Sequence, residues 1–223
     1  MIHAARHYGV DATGVTLSQP QAQLANERIA QAGLADRARV RVLDYREVTP
    51  PEAGYDAIAS VGMFEHVGVK KLPEYFAHAH RMLKPGGVFL NHGIAKKANE
   101  ELTHGSGFIE TYVFPDGELA PISQTLAAVE EADFEVRDVE SLREHYVLTL
   151  RHWVRRLESH HEPALEYVDE PTFRVWRLYM AASAHMFSTG KINVYQALLV
   201  KPDSQGHSGL PLTRADWYTP SAE

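Results

Sequence analysis

The alternation of short apolar runs with helical stretches is the feature of this sequence that most constrains its fold. Such alternation is typical of α/β folds, in which helices connect the strands and cover the faces of the sheet. Strands are predicted at residues 12–17, 39–43, 55–61, 87–92, 135–142 and 193–200, and helices at 19–32, 72–83 and 123–132. We therefore predict an α/β fold whose sheet carries helices on both faces, with a longer helical insertion at about 146–187.

Local signals mark several helix ends. Ser18 is typical of an N-cap, Pro20 falls in the first turn, and Gln21 lies where a capping-box partner is expected. Gly33 is predicted to stop the same helix. These signals predict that a strand ends and a helix begins within three residues of position 16.

Composition excludes several classes of function. A net charge of −7 without a basic stripe argues against nucleic-acid binding, because neutralising phosphates requires concentrated positive charge. The chain has no cysteine, and none of its 13 histidines forms the zincin pattern, so we predict no metal site. No apolar run approaches the roughly 18 residues of a membrane span, and no secretory signal is found. We predict a cytoplasmic protein.

Polar side chains follow two of the predicted strands. Glu65 comes just after the run at 55–61, and His92 ends the run at 87–92. Ligands of open α/β sheets sit beyond the carboxyl ends of parallel strands, so these two side chains are expected to converge. With Tyr146 they would offer an acceptor, a dual donor and acceptor, and a phenolic donor. Two structural alternatives stay open: Glu65 could cap the following helix, and His92 could be a satisfied core histidine.

Five further motifs occur in a fixed order around the segment SVGMFEHVG at 60–68. They are GVTLSQPQ at 14–21, DYR at 44–46, LKPGG at 83–87, HGI at 92–94 and YVFPDG at 112–117. Together they resemble the cyclopropane-fatty-acyl-phospholipid synthase family of S-adenosyl-L-methionine (SAM)-dependent methyltransferases. The resemblance covers roughly residues 3–201, and we assign residues 202–223 to a polar C-terminal tail.

The resemblance implies a Rossmann-like class I methyltransferase sheet and a SAM site. Its ribose side would be formed by Thr16, Leu17, Ser18 and Gln21, and its adenine side by Asp44 and Tyr45. Read without the family, Asp44 could be only a turn residue and Tyr45 only an edge of the core. The family's first strand and glycine-rich SAM loop have no counterpart here, so we expect an N-terminally truncated catalytic domain at 1–201. A missing strand would expose strand edges and favour a homodimer.

The resemblance also implies a catalytic group. Glu65, His92 and Tyr146 match positions that hold a bicarbonate ion, to which Ile94 contributes a backbone group, and that ion takes up a proton. The implied reaction is SAM-dependent methylene transfer to the cis double bond of an unsaturated phospholipid acyl chain, which forms a cyclopropane fatty acid.

Substrate is expected to lie under the helical insertion and the loop at 95–119. Apolar side chains of the insertion either line an acyl tunnel or are simply core: Trp153, Tyr167, Phe173, Trp176, Tyr179, Met180, Met186 and Phe187. Basic clusters at 70–71, 96–97 and 151–156 either touch an anionic membrane at its inner face or are solvated helix faces.

Three functions remain open. The first is cyclopropane synthesis, and the second is a related C-methyltransferase acting on another lipid or hydrophobic acceptor. The third is a catalytically silent remnant or lipid-binding partner. Retention of Glu65, His92 and Tyr146 favours the first.

Overall fold

A computed structural model describes residues 1–100, 107–115 and 117–218. The chain forms two compact units, Met1–Pro51 and Glu52–Glu223, and each is described by itself. Residues 101–106 of the expected substrate loop, and Asp116 of the motif at 112–117, lie outside the described residues.

The first unit is a small parallel α/β unit. Its elements are α1 (Ile2–Tyr8), β1 (Ala12–Thr16), α2 (Gln19–Gln31), β2 (Ala38–Val42) and a 3₁₀ turn (Tyr45–Glu47). The two strands pair in parallel from Ala12 opposite Ala38 to Thr16 opposite Val42. Helices α1 and α2 contribute Ala5 and Ile29 to a core that also buries Ala38.

The ends of α2 follow the sequence signals with one difference. The Ser18 Oγ accepts a hydrogen bond from the Gln21 N–H at 3.4 Å, which confirms Ser18 as the N-cap. The predicted capping box is wrong, because the Gln21 Oε1 accepts from the Thr16 hydroxyl at 2.9 Å. Gly33 has a φ of +69°, which glycine adopts without strain, and the helix stops there as predicted.

The side chain of Asn26 on α2 pairs with the backbone of β2. Its Nδ2 donates to the Val40 carbonyl at 2.8 Å, and its Oδ1 accepts from the Val40 N–H at 2.9 Å. Asn26 therefore satisfies both backbone groups of one residue of the strand.

The second unit holds a mixed four-stranded sheet in the order β3-β4-β6-β5. Strands β3 and β4 are parallel, whereas β6 runs antiparallel to both of its neighbours. The strands are β3 (Tyr55–Val61), β4 (Leu83–Lys96), β5 (Glu135–Ser141) and β6 (Ile192–Val200). The helices are α3 (Leu72–Met82), α4 (Gly107–Tyr112), α5 (Ile122–Glu131), α6 (Arg143–Ser159), α7 (His161–Ala164), α8 (Glu170–Ser188) and α9 (Ala215–Tyr218), with 3₁₀ turns at Phe64–His66 and Val69–Lys71.

Strand β4 is longer than the sequence predicts. Its antiparallel pairing with β6 continues from Val88 opposite Val200 to Lys96 opposite Ile192. His92 consequently lies inside β4 and not at its end, which corrects the expectation above. Burial alternates along the strand, so that Asn91, Gly93 and Ala95 are buried while His92 and Ile94 are half-buried on the other face.

The segment expected to be helical consists of α6, α7 and α8, which confirms its secondary structure. Helices α6 and α8 pack on β6 around a core formed by Val147, Leu150, Phe187, Ile192 and Val194. None of the helices in the ranges that the structure describes is both long and apolar enough to cross a membrane. Beyond β6, Arg214 forms an ion pair with the buried carboxylate of Asp138 on β5.

Candidate active site

The carboxylate of Glu65 is the most deeply buried charged group near the predicted site, with 6% of the residue exposed. It lies in the 3₁₀ turn that follows β3, and its Oε1 accepts from the Ile94 N–H at 2.8 Å. That bond ties the turn to β4, whereas the alternative had Glu65 capping a helix. The other oxygen, Oε2, is buried and has no hydrogen-bond partner among the described residues. Because such an oxygen is costly to leave unpaired, Oε2 is an acceptor available to a ligand.

His92 and Tyr146 form a second part of the same site. The His92 Nε2 and the Tyr146 Oη, which comes from the first turn of α6, are 3.0 Å apart. Burial lowers the pKa of the His92 imidazole, and the charge of Glu65 partly opposes that shift. Burial raises the pKa of the Tyr146 phenol, and the charge of Glu65 raises it further. At neutral pH the pair is therefore a neutral imidazole beside a protonated phenol.

Four of the predicted residues thus come together in the second unit. Glu65 bonds the backbone of Ile94, and its charge acts on both His92 and Tyr146. The backbone group of Ile94 seen in this site is its N–H, and Glu65 accepts from it. His92 is half-buried and bonded on both ring nitrogens, so it is a satisfied histidine, and its catalytic role stays a prediction.

Gln196 is a polar member of the site that sequence reasoning missed. It stands opposite His92 in the antiparallel pairing of β4 with β6, and its Nε2 lies 3.0 Å from the His92 Nδ1. The sequence signal that could have indicated Gln196 is its position as a polar residue inside the apolar run INVYQALLV of β6. Only the register between β4 and β6, however, shows which side chain faces it.

Gly93 determines how the Glu65 turn rests on β4. A Cβ at Gly93 would lie 2.4 Å from the Cδ1 and 2.6 Å from the Cε1 of Phe64, distances that real Cβ atoms do not show. The buried ring of Phe64 thus occupies the space that a side chain at position 93 would need. Since Phe64 precedes Glu65, Gly93 allows the turn that presents the carboxylate to approach the strand.

An aromatic cluster formed by Phe114, Trp176 and Tyr179 lies near Glu65. The ring centroids are 5.7 to 6.3 Å apart and all three pairs meet edge to face, as in packed aromatic contacts. Burial raises the pKa of Tyr179, and the charge of Glu65 adds to that shift. Helix α8 therefore brings aromatic surface to the Glu65 end of the site.

The other members of the expected acyl tunnel are dispersed. Phe173 and Phe187 are buried, and Met180 and Met186 pack against the core cluster at α6, α8 and β6. Trp153 and Tyr167 are exposed, Tyr167 to 86%. Core packing thus describes four of these eight residues.

The candidate SAM residues lie at one end of the small parallel sheet in the first unit. Thr16 ends β1, Ser18 begins α2, and the Thr16 Oγ1 accepts from the Ser18 N–H at 3.1 Å while donating to Gln21. Leu17, between them, is 75% exposed. Because β2 is parallel to β1, Asp44 and Tyr45 follow at the same end.

Asp44 has a clear structural role in this unit. Its carboxylate accepts from the Arg46 N–H at 2.9 Å and caps the 3₁₀ turn Tyr45–Glu47, and it also accepts from the Arg46 guanidinium at 2.6 and 3.0 Å. These contacts match the turn-residue alternative. The adenine role of Asp44 and Tyr45 stays a prediction.

No group of three or more His, Asp or Glu side chains that could hold a metal ion is found in residues 1–100, 107–115 and 117–218.

Comparison with known proteins places these residues in a family. The model of the family described as mycolic acid cyclopropane synthetase matches residues 1–197. This chain belongs to that family. Membership confirms the resemblance found in the sequence, and the α/β methyltransferase fold of the chain is that of the cyclopropane synthases.

Similar proteins include curated relatives and a solved structure. A protein of Pseudomonas putida named "Probable fatty acid methyltransferase" is 44% identical over 218 residues, which cover 96% of this chain and 55% of the relative. Sphingolipid C9-methyltransferase 2 of Gibberella zeae is 30% identical over 209 residues, covering 92% of this chain and 40% of the relative. The chain spans about half the length of these relatives.

A solved structure of the mycolic acid cyclopropane synthase CmaA1 complexed with SAH and CTAB has a TM-score of 0.81 and 30% identity. It covers 89% of this chain and 73% of that protein. The fold predicted from the alternation of strands and helices is therefore confirmed.

Proposed function

We propose that this chain carries the catalytic part of a SAM-dependent methyltransferase that forms cyclopropane rings at cis double bonds of unsaturated phospholipid acyl chains. The observation that carries the proposal is the buried Oε2 of Glu65, unpaired among the described residues and close to the neutral His92 and Tyr146 pair. Methyl transfer to an alkene needs a group that then removes a proton in a site shielded from water. A buried acceptor beside a phenolic donor suits that requirement.

SAM, when bound, supplies an electrophilic methyl group. The residues at the end of the first unit's sheet fit its ribose and adenine, because hydroxyl, amide and carboxylate groups gather beyond the carboxyl ends of two parallel strands. Thr16, Ser18 and Gln21 would face the ribose, with Leu17 covering it. Asp44 and Tyr45 would receive the adenine by an acceptor and a stacking ring.

Bicarbonate, when bound, supplies an oxygen base for the proton. The second unit fits such an ion on two counts. The unpaired Oε2 of Glu65 can accept a hydrogen bond from its hydroxyl group, and the protonated Tyr146 can donate to one of its oxygens. Ile94 would act through its N–H, which holds Glu65 in place.

The acyl lipid is proposed to lie against α8 and the aromatic cluster near Glu65. Contact with the inner membrane face would involve the exposed arginines of α6, such as Arg151 and Arg155, because anionic lipids attract such charge. We also propose that the protein forms a homodimer and that it binds no nucleic acid.

A second candidate is a C-methyltransferase that leaves a methyl branch on a lipid. The sphingolipid C9-methyltransferase relative favours it, because that protein is named for methylation and not for ring formation. Both candidates use the same site, and they differ in where the proton is lost. A silent remnant remains the third candidate, and it predicts no SAM affinity.

The test is methyl transfer from isotopically labelled SAM to phospholipid vesicles, with unsaturated and saturated acyl chains compared. Label is expected only in the unsaturated lipid, and proton NMR of the product separates a ring methylene from a branched methyl. Glu65→Gln should abolish incorporation, whereas the matched control Glu74→Gln, at an exposed position of α3, should not. Equal labelling of saturated lipid, or a fully active Glu65→Gln variant, would contradict the proposal.

Calorimetric titration of SAM separates the remnant from the enzyme. Binding by the 223-residue chain supports a working cofactor site. No binding by this chain, nor by a longer form containing any residues encoded upstream in frame, would favour the remnant.

A further inference from the structure

The His92 ring is held from both sides by neutral partners. Its Nε2 faces the Tyr146 hydroxyl and its Nδ1 faces the Gln196 amide, each at 3.0 Å. A neutral imidazole carries one proton, so one ring nitrogen donates and the other accepts. The partner at one nitrogen therefore fixes the hydrogen-bonding role of the other.

We propose that Gln196 is a positioning residue that holds His92 in the tautomer with the proton on Nε2. The Gln196 Nε2 amide donates to the His92 Nδ1, which leaves the His92 Nε2–H to donate to the Tyr146 oxygen. The Tyr146 hydroxyl hydrogen is then free to point at an acceptor in the site. The inference rests on the proposed function only in naming that acceptor as bicarbonate.

The backbone pairing of β6 with its two neighbouring strands places Gln196 beside His92. On one side Gln196 pairs with His92 of β4, and on the other it pairs with Glu140 of β5. A residue in the interior of a sheet has its position set by hydrogen bonds to both neighbouring strands. Gln196 therefore presents its amide to the ring from a fixed backbone position.

The opposite tautomer would change what the site presents to a ligand. With the proton on Nδ1, the His92 Nε2 would accept from the Tyr146 hydroxyl and use its hydrogen. The site would then lose its phenolic donor next to Glu65. Replacing Gln196 by Glu should cause that change, because an ionised carboxylate can only accept.

The test is long-range ¹H–¹⁵N NMR of the imidazole nitrogens in the uniformly labelled 223-residue chain, above the His92 pKa. The His92→Asn variant identifies the His92 signals by their loss. The wild type should show a protonated Nε2 and an unprotonated Nδ1. Gln196→Glu should reverse that pattern, and Gln196→Met, of similar length without a hydrogen bond, should give a mixture of tautomers.

Controls distinguish a change in the tautomer of His92 from a loss of folding. Gln124→Met makes the same change at an exposed position of α5 and should leave the His92 signals unaltered. Circular dichroism checks that each Gln196 variant is folded, and Gln196→Met adds no charge that would destabilise the sheet. A protonated Nδ1 in the wild type, or a tautomer insensitive to both substitutions, would overturn the proposal.

Kinetics give a second readout. In methyl transfer, Gln196→Met should lower kcat roughly ten- to a hundred-fold, the range seen for partners that orient metal-binding histidines, while KM for the lipid changes little. If no methyl transfer occurs but the NMR result holds, the proposed function fails and the role of Gln196 stands. If transfer occurs with the proton on Nδ1, only the proposed role of Gln196 is contradicted, and the proposed function stands.

Discussion

At the scale of single residues, the site depends on a few atoms whose environment is unusual. The Tyr146 ring packs on Phe187 with centroids 5.5 Å apart, and its hydroxyl meets His92. The ring and the hydroxyl group of Tyr146 therefore have different roles. The ring belongs to the core formed by α6, α8 and β6, and the hydroxyl belongs to the site.

Tyr146→Phe separates those two contributions. Because only the hydroxyl is removed, the free energy of unfolding should fall by about 1 kcal/mol or less. Methyl transfer should fall by about a hundred-fold or more if the phenol acts on a proton or on its acceptor. Tyr112→Phe, at an exposed position of α4, is the control. Wild-type turnover by Tyr146→Phe would remove the phenol from the proposed mechanism.

Gly93→Ala tests the close approach of Phe64 to β4. The added methyl group would meet the Phe64 ring at 2.4 Å, so the turn holding Glu65 must shift. Overpacking of this kind costs about 1–3 kcal/mol, which urea denaturation would measure, and turnover should fall with it. Gly107→Ala, where an added Cβ meets nothing within 4 Å, should be nearly neutral.

A second substitution tests whether Phe64 causes that loss. Gly93→Ala combined with Phe64→Leu should recover part of the stability, because a smaller side chain leaves room for the methyl group. Additive losses in the double variant would mean that the two residues do not compete for space.

At the scale of elements, α2 does more than pack on its sheet. The Asn26 side chain binds the backbone of β2 at Val40 as a neighbouring strand would. The contact joins a residue of a helix to a residue of a strand that lies 14 positions later in the sequence.

Asn26→Ala should weaken β2 locally. The Val40 N–H would lose its acceptor, so its hydrogen exchange should accelerate, and the unit should lose about 1 kcal/mol. Gln23→Ala on the same helix removes only a bond between exposed side chains, from Gln23 to Glu27, and serves as control. Unchanged exchange at Val40 in Asn26→Ala would show that another group protects this amide.

The elements also show how much of the structure was predictable from sequence. The end of α2 was predictable because Ser18 and Gly33 act within a few residues of themselves. The length of β4 was not, because residues 93–96 become strand only by pairing with β6, about a hundred residues later. Glu65 and His92 could be found from the motifs around them, whereas Gln196 and the fit of Gly93 to Phe64 depend on strand register.

At the scale of the whole molecule, two partly buried histidines link stability to pH. Burial lowers the pKa of His80, and the charge of Lys201 lowers it further while Asp133 opposes the shift. Burial likewise lowers the pKa of His92. Both folded-state values therefore lie below the ordinary 6.5, which the unfolded chain retains.

Acidification should consequently destabilise the fold through these groups. As the pH falls below 6.5 the unfolded chain binds protons first, so the free energy of unfolding decreases until the pH passes the folded-state values. Well above 6.5 both histidines are neutral in either state and contribute no slope. Urea denaturation about one pH unit above and below 6.5 would measure the change.

His80→Gln should reduce the difference in stability between those two pH values. His152→Gln, at an exposed position of α6, is the control. An unchanged pH dependence in His80→Gln would assign the acid sensitivity to other groups.

The position of His92 inside β4 has a consequence for folding kinetics. Glu65 reaches β4 from the parallel side of the sheet, and Gln196 reaches it from the antiparallel side. The site therefore exists only when contacts distant in sequence have formed on both sides of one strand, and such contacts form late because long loops must close first. In refolding, the ring signals of His92 should reach their native values no earlier than the pairing of β4 with β6.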